Sequence, residues 1–125
     1  MPNFTDDKIQ AVWNNATIVD DSYKNEWRKD ACDAWIKRDQ YGKETDYGWE
    51  ADHILPLAKG GTDHTDNLRA FHWKNNRSKA DDFSDYTSAI TSDGNKNIEI
   101  AEGKTINKET ISKLKLLYLD NKYLK

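Results

Sequence analysis

"WEADHILPLAKGGTDHTDNLRAFHWKNNRSK", residues 49–79, holds the most regular order of elements in the chain. A short apolar run from Trp49 is stopped by Pro56, which cannot donate to a sheet ladder. Gly60-Gly61 and the polar residues up to Asn67 read as an exposed loop. "LRAFHW" is a second strand, and "KNNRSKADD" opens a helix. Strand, loop, strand and helix follow one another directly. Within this order Asp52 and His53 stand side by side, although a regular strand sends neighbouring side chains to opposite faces. Either one of the two is idle, or the strand breaks so that both reach one site.

Outward from this stretch, Asp6 is expected to cap a helix running to about Trp13, with Ile9, Val12 and Trp13 on one stripe. "KNEWRKDACDAWIKR" places Trp27, Ala31 and Trp35 four apart, which predicts a second amphipathic helix. "DQYGKETDYGWE" reads as turns leading into the strand. Beyond Phe83, "YTSAITSDGNKNIEI" predicts a hairpin around Asp93-Gly94-Asn95. Asn107 then caps a last helix with Ile111, Leu114, Leu117 and Tyr118 along its core stripe.

The 125 residues are expected to form one domain, 1–125, of the α+β class. Five Trp and six Tyr in a chain that is 33% charged suggest a small core built from large rings. Cys32 is the only cysteine, so disulfides within the chain and multi-cysteine zinc sites are excluded; its plain reading is a small buried hydrophobe. No run of apolar residues is long enough to span a bilayer, and the first residues lack the form of a signal peptide, so a cytoplasmic protein without membrane contact is expected. A net charge of −3 argues against a partner held by bulk charge. A local patch can still serve DNA, and Arg69, Lys74, Arg77 and Lys79 supply one without an acid among them.

One chemical task suits the hydrophilic residues of the central stretch. Hydrolysis of a phosphodiester needs a base to deprotonate water and a cation to absorb developing charge. His53 suits the base. Asp52 offers an anionic oxygen and Asn76 an amide oxygen, which with a phosphate make an ordinary magnesium or manganese site. Asn67 is placed to tie the loop and so hold the His53 ring, and Arg69, Lys74, Arg77 and Lys79 to grip flanking phosphates. Taken singly, Asp52 could instead be a cap or ion-pair partner and His53 a satisfied core histidine. His64 reads as solvated, His72 as a residue that could line the site, Glu50 as a neighbour on Asp52's strand face, and Asn75 as a competitor of Asn76.

Residues 52–79 resemble the signature of HNH endonucleases, the ββα-metal or His-Me finger group. Asp52, His53, Ile54, Pro56, Gly60, Gly61, Asn67, Leu68, Asn76 and Lys79 fall in register with the family pattern, over roughly residues 47–82. The resemblance implies a ββα-metal core, flanked here by N-terminal helices and a C-terminal hairpin plus helix. It implies a metal-dependent DNA endonuclease with Asp52 and Asn76 as metal ligands, His53 as general base and Asn67 as the structural asparagine. It also implies that the strand ends at Asp52-His53 so that both side chains face the helix carrying Asn76. Many relatives bind a structural zinc through cysteine pairs; His72 and Asn75 stand at the positions of one pair, so no zinc is expected. Two rival readings remain. One is an HNH-like module that binds nucleic acid without cutting it, and the other a nuclease toxin with an inhibitor partner.

Overall fold

A computed structural model describes residues 3–125. Along the chain run α1 (Asp6–Asn14), β1 (Trp27–Lys29), β2 (Trp35–Lys37), β3 (Trp49–His53), β4 (Leu68–His72), α2 (Trp73–Lys79), β5 (Asp85–Asp93), β6 (Lys96–Thr105) and α3 (Lys108–Leu117). Short 3₁₀ turns fill several connections. The strands pair antiparallel in sequence neighbours, β1 with β2, β3 with β4 and β5 with β6, giving three small sheets. Mixed helices and antiparallel hairpins make this an α+β chain.

α1 forms where its apolar stripe predicts, with Val12 and Trp13 buried. Its cap is Thr5, whose hydroxyl accepts the Lys8 N–H, and Asp6 sits in the first turn, where an acid complements the helix dipole. The second expected helix is absent. Residues 24–38 instead form the β1–β2 hairpin, with Arg28 opposite Ile36. The reason is Asp30. Its Oδ1 accepts the N–H groups of Cys32 and Ala34, and its backbone N–H donates to Ala34, folding a tight loop that competes with helix. Asp33, at φ 68, completes the reversal in the left-handed region. The hairpin brings Trp27 and Trp35 to one face as readily as a helix would, so their spacing cannot discriminate between the two.

β3 and β4 pair Glu50 with Phe71, Ala51 with Ala70, Asp52 with Arg69 and His53 with Leu68. One face carries Trp49, Ala51, Leu68 and Ala70 into a core with Val12, Trp13 and Ile36. The other carries Phe71 towards a second core of Cys32, Leu55, Tyr86, Ile106, Leu114 and Leu124. The expected strand over residues 49–56 is shorter in fact and stops at His53. Beyond it, the Ile54 N–H donates to the Asn67 carbonyl and the Leu55 N–H to the Asn67 side chain.

The C-terminal hairpin and helix lie where expected, with the β5–β6 turn at Gly94 and Asn107 capping α3 through the Thr110 N–H, but of the expected stripe only Leu114 is buried and Tyr118 falls just past the helix end. They brace the functional region. Tyr118, beyond α3, accepts the Thr62 N–H at 3.0 Å, and Asn121 donates to the Lys59 carbonyl at 2.8 Å. The loop from Pro56 to Asn67 is thus held at Lys59 and Thr62 by the chain that follows α3. Gly61 lies where a Cβ would fall 1.8 Å from the Leu55 carbonyl oxygen, so no larger residue fits the closed loop. Among the described residues no helix is long and apolar enough to cross a membrane.

Candidate active site

Asp52 is 2% exposed. Its Oδ2 accepts from Nε of Arg69, directly across the β3–β4 pair, at 2.9 Å, and its Oδ1 lies 3.3 Å from Nζ of Lys79 on α2. Lys79 is wholly buried, and its Nζ also donates to the His53 carbonyl at 3.1 Å. Burial pushes the Lys79 ammonium below its ordinary pKa, against the pull of Asp52. Burial is the largest influence on Arg69 and works against its charge, but Asp52 and Tyr86 together outweigh it and the pKa is raised. The guanidinium lies over the Phe71 ring at 4.2 Å. Its Nη2 is buried without an acceptor.

Two of the four cations read as phosphate contacts are therefore turned inward. Arg69 and Lys79 spend their charge on Asp52, because a buried carboxylate needs compensation. Arg77 remains exposed and Lys74 half-exposed. Lys74 pairs with Glu99, and Arg77 with Glu44 at 2.6 Å and Glu50 at 3.5 Å.

Strand pairing persists through His53, so the backbone does not break between the acid and the histidine. Asp52 meets α2, whereas the His53 ring is hydrogen-bonded to the loop, with Nε2 2.7 Å from Oδ1 of Asp63. What His53 presents to Lys79 is its carbonyl. The expected convergence of both side chains on α2 is thus replaced by a division between helix and loop. A carboxylate can only accept, so in this pair Nε2 carries a proton and donates it to Asp63. Asp63 was not singled out from the sequence, where it is one acid in a polar loop with nothing to mark it.

Asn67 is fully buried. Its Oδ1 accepts the Leu55 N–H at 2.8 Å, and its Nδ2 donates to the carbonyls of Leu55 and Thr62 at 3.0 Å each. It closes the loop that carries Asp63 and does not touch His53 itself.

The two adjacent asparagines differ sharply. Asn75 is buried, accepting the N–H groups of Ala89 and Ile90 and donating to Asp30 and the Ile90 carbonyl. Its amide is saturated. Asn76 makes one side-chain bond, from Nδ2 to Oε1 of Glu50 at 3.1 Å. That contact orients the amide and leaves Oδ1 available. His72 is structural as well, its Nδ1 capping α2 by accepting the Lys74 N–H and its Nε2 donating to the Asp46 carbonyl. Burial pushes its pKa down. His64 is exposed and caps a 3₁₀ turn. Cys32 is buried, its thiol pushed up to about 11 by burial and the Asp30 charge, so it is no nucleophile.

With this geometry in view, comparison with known proteins is informative. Residues 36–82 match the family model of HNH endonuclease. The HNH segment thus takes in β2, β3, β4 and α2, and every candidate residue above except the partners supplied by β5, β6 and the β1 side. No curated protein and no solved structure matches the chain.

Among the described residues, no group of three or more His, Cys, Asp or Glu side chains is disposed to hold a metal ion. The oxygen donors at hand are the Asn76 amide, the Glu50 carboxylate bonded to it, and Asp52 two residues along the same strand. Such an oxygen-only set fits a hard divalent cation in kind. Asp52 would have to share its oxygens between that cation and Arg69 or Lys79.

Proposed function

We propose that this chain is a metal-dependent DNA endonuclease with a ββα-metal core, working as a single domain. The observation that carries the reading is the His53–Asp63 contact at 2.7 Å within the HNH segment, which holds the ring by Nε2 and leaves Nδ1 without a hydrogen-bond partner among the described residues. His53 takes the proton of the attacking water. Asp63 holds the ring, and Asn67 holds the loop that holds Asp63. Asp52 and Asn76 would bind magnesium or manganese, which when bound supplies charge compensation at the phosphate. Lys74 and Arg77, the cations of α2 that reach the surface, grip the flanking phosphates.

The direct experiment incubates plasmid DNA with the protein and magnesium or manganese, with and without EDTA. Nicking or cutting that EDTA abolishes is expected. His53→Ala lowers the rate by about 10²–10⁴-fold, the usual worth of a general base, with the fold intact. A fully active His53→Ala would refute the assignment.

One observation favours a second reading. Both Asp52 oxygens are engaged by buried cations, which suits a module that binds nucleic acid without cutting. Wild-type protein that binds DNA and never cuts DNA or RNA, with any divalent ion, would establish it.

A further inference from the structure

The β1–β2 hairpin carries a surface that the catalytic reading leaves unused. Arg28 and Ile36 bury one face of it. On the other face Trp27 stands opposite Lys37, and Lys29 opposite Trp35, a two-by-two alternation of rings and cations. Lys37 Nζ lies 5.5 Å from the Trp27 ring and Lys29 Nζ 4.8 Å from the Trp35 ring. Lys29 pairs with Asp33 at 3.5 Å, while Lys37 has no carboxylate within ion-pair distance among the described residues. Beside the rings opens a cavity of about 470 Å³, lined also by Tyr23, which is 57% exposed, and Val19.

The indole N–H groups separate Trp27 from the other four tryptophans. Trp13 donates to the Lys24 carbonyl, Trp35 to Gly94, Trp49 to Lys37 and Trp73 to Thr45. Trp27 alone has no acceptor among the described residues, and it lies at the open face. Trp35 is fixed by Asn97, which binds its backbone N–H and carbonyl, so that ring is held before any ligand arrives.

The surface also leads to the candidate site. Trp27 packs edge-on against Tyr47 at 4.9 Å. Tyr47 lines a polar cleft with Trp73 and Lys74. Arg77 lies 4.9 Å from the Trp73 ring and pairs with Glu50, the partner of Asn76.

We propose that Trp27, Trp35, Lys29 and Lys37 form a docking surface for unpaired nucleotides, the rings stacking bases and the lysines meeting phosphates. Aromatic rings interleaved with cations are how proteins hold single strands without reading sequence. The cavity contains one acid, Asp20, whose carboxylate is bonded to the Ser22 N–H at 2.9 Å. A cationic ligand is disfavoured because Lys29 and Lys37 already place two positive charges beside the rings. This inference rests on the nuclease reading and names its substrate class: DNA with an unpaired segment beside the scissile phosphate.

The test uses the full chain in EDTA, so that nothing is cut. Short oligo(dT) is compared with an oligomer of the same length made of abasic sites, by quenching of tryptophan emission and by anisotropy. Saturable quenching is expected, with oligo(dT) bound at least about fivefold more tightly than the abasic strand. Trp27→Ala and Lys37→Glu should each lose about fivefold or more, with Trp27→Phe recovering most of the loss. Near-UV circular dichroism checks that each variant is folded, and Lys37→Glu at a half-exposed position keeps the test open if Trp27→Ala is not. Equal affinity for the abasic strand, or wild-type affinity in folded Lys37→Glu, overturns the proposal. Plasmid cleavage by wild type with magnesium reads the nuclease assignment separately. Cleavage without preference for bases sinks this proposal alone, and preference for bases without cleavage sinks the nuclease reading alone.

Discussion

Lys79→Met asks whether the buried lysine serves the fold or the substrate. Methionine keeps most of the stem's volume and removes the ammonium, so the loss reports the charge. Lys79 is fully buried, with Asp52 Oδ1 at 3.3 Å and the His53 carbonyl at 3.1 Å. Removing one partner of a buried pair typically costs about 3–5 kcal/mol. Two terms reduce this. Arg69 still holds Asp52 through Nε at 2.9 Å, and the desolvation that depresses the Lys79 pKa is relieved. A net loss of about 2–4 kcal/mol follows, against a total stability of about 5–15 kcal/mol for a domain of this kind. The variant should therefore fold, with a Tm lower by about 10 °C. Urea unfolding read by the native tryptophans measures the loss. Lys74→Met is the control, since its pair with Glu99 is exposed and worth less than about 1 kcal/mol. In a cycle with Asp52→Asn the two changes should couple by about 1–3 kcal/mol. A Lys79→Met loss no greater than that of Lys74→Met would refute the inward clamp and return Lys79 to the phosphate.

Asn67→Ala leaves the Leu55 N–H and the Leu55 and Thr62 carbonyls without partners and should destabilise by about 2–4 kcal/mol, whereas Asn76→Ala, with one bond to Glu50, should cost about 1 kcal/mol or less. Calorimetric titration with manganese should invert that order, Asn76→Ala losing affinity and Asn67→Ala keeping it; equal losses in binding would mean the two roles are misassigned. The depressed pKa of His72 means that the unfolded chain takes up a proton first as pH falls below about 6.5, so stability should decline from there downward. His72→Asn, still able to cap α2, should flatten that slope, and an unchanged slope by thermal melts from neutral to mildly acid pH would clear His72 of it. Asp63→Ala should lower the rate of cleavage at unchanged stability, because the pair it breaks is half-exposed and only the His53 ring is released; a cleavage rate equal to wild type would show that the ring needs no such support.

What the sequence made legible depended on residues whose backbone demands are singular. Gly61 and Asn67 fix where the loop closes and what ties it, and the β3–loop–β4–α2 order was readable from them, although β3 ends at His53 and not at Pro56. Asn107 likewise marked the start of α3. The β1–β2 hairpin was illegible because tryptophans eight residues apart share a face both on a helix and across a tight hairpin. What decides between them is Asp30, whose carboxylate gathers two N–H groups of its own loop together with the His72 N–H and the Asn75 amide, more than 40 residues away. No local pattern announces such a partner. Inward-facing cations are hidden for a similar reason. In a basic run, Lys79 looks like Lys74 until the fold shows which one lies against a carboxylate.

The adjacency of Asp52 and His53 acquires a physical sense from this division of partners. Because β3 stays paired through both residues, they cannot be adjusted separately by moving the backbone. Each is fixed from a different side. Arg69 and Lys79 fix Asp52 from β4 and α2, and Asp63 fixes the His53 ring from a loop that Asn67 closes and Tyr118 braces. Lys79 reaches both residues, the side chain of one and the carbonyl of the other, so it couples the helix to the strand end at the point where the two roles meet. A site built this way gains rigidity from tertiary contacts on two sides of a short strand. His72 binds the turn before β3 and the start of α2, and Asn75 binds β5. Hydrogen bonds from two uncharged side chains hold α2 against the sheet there.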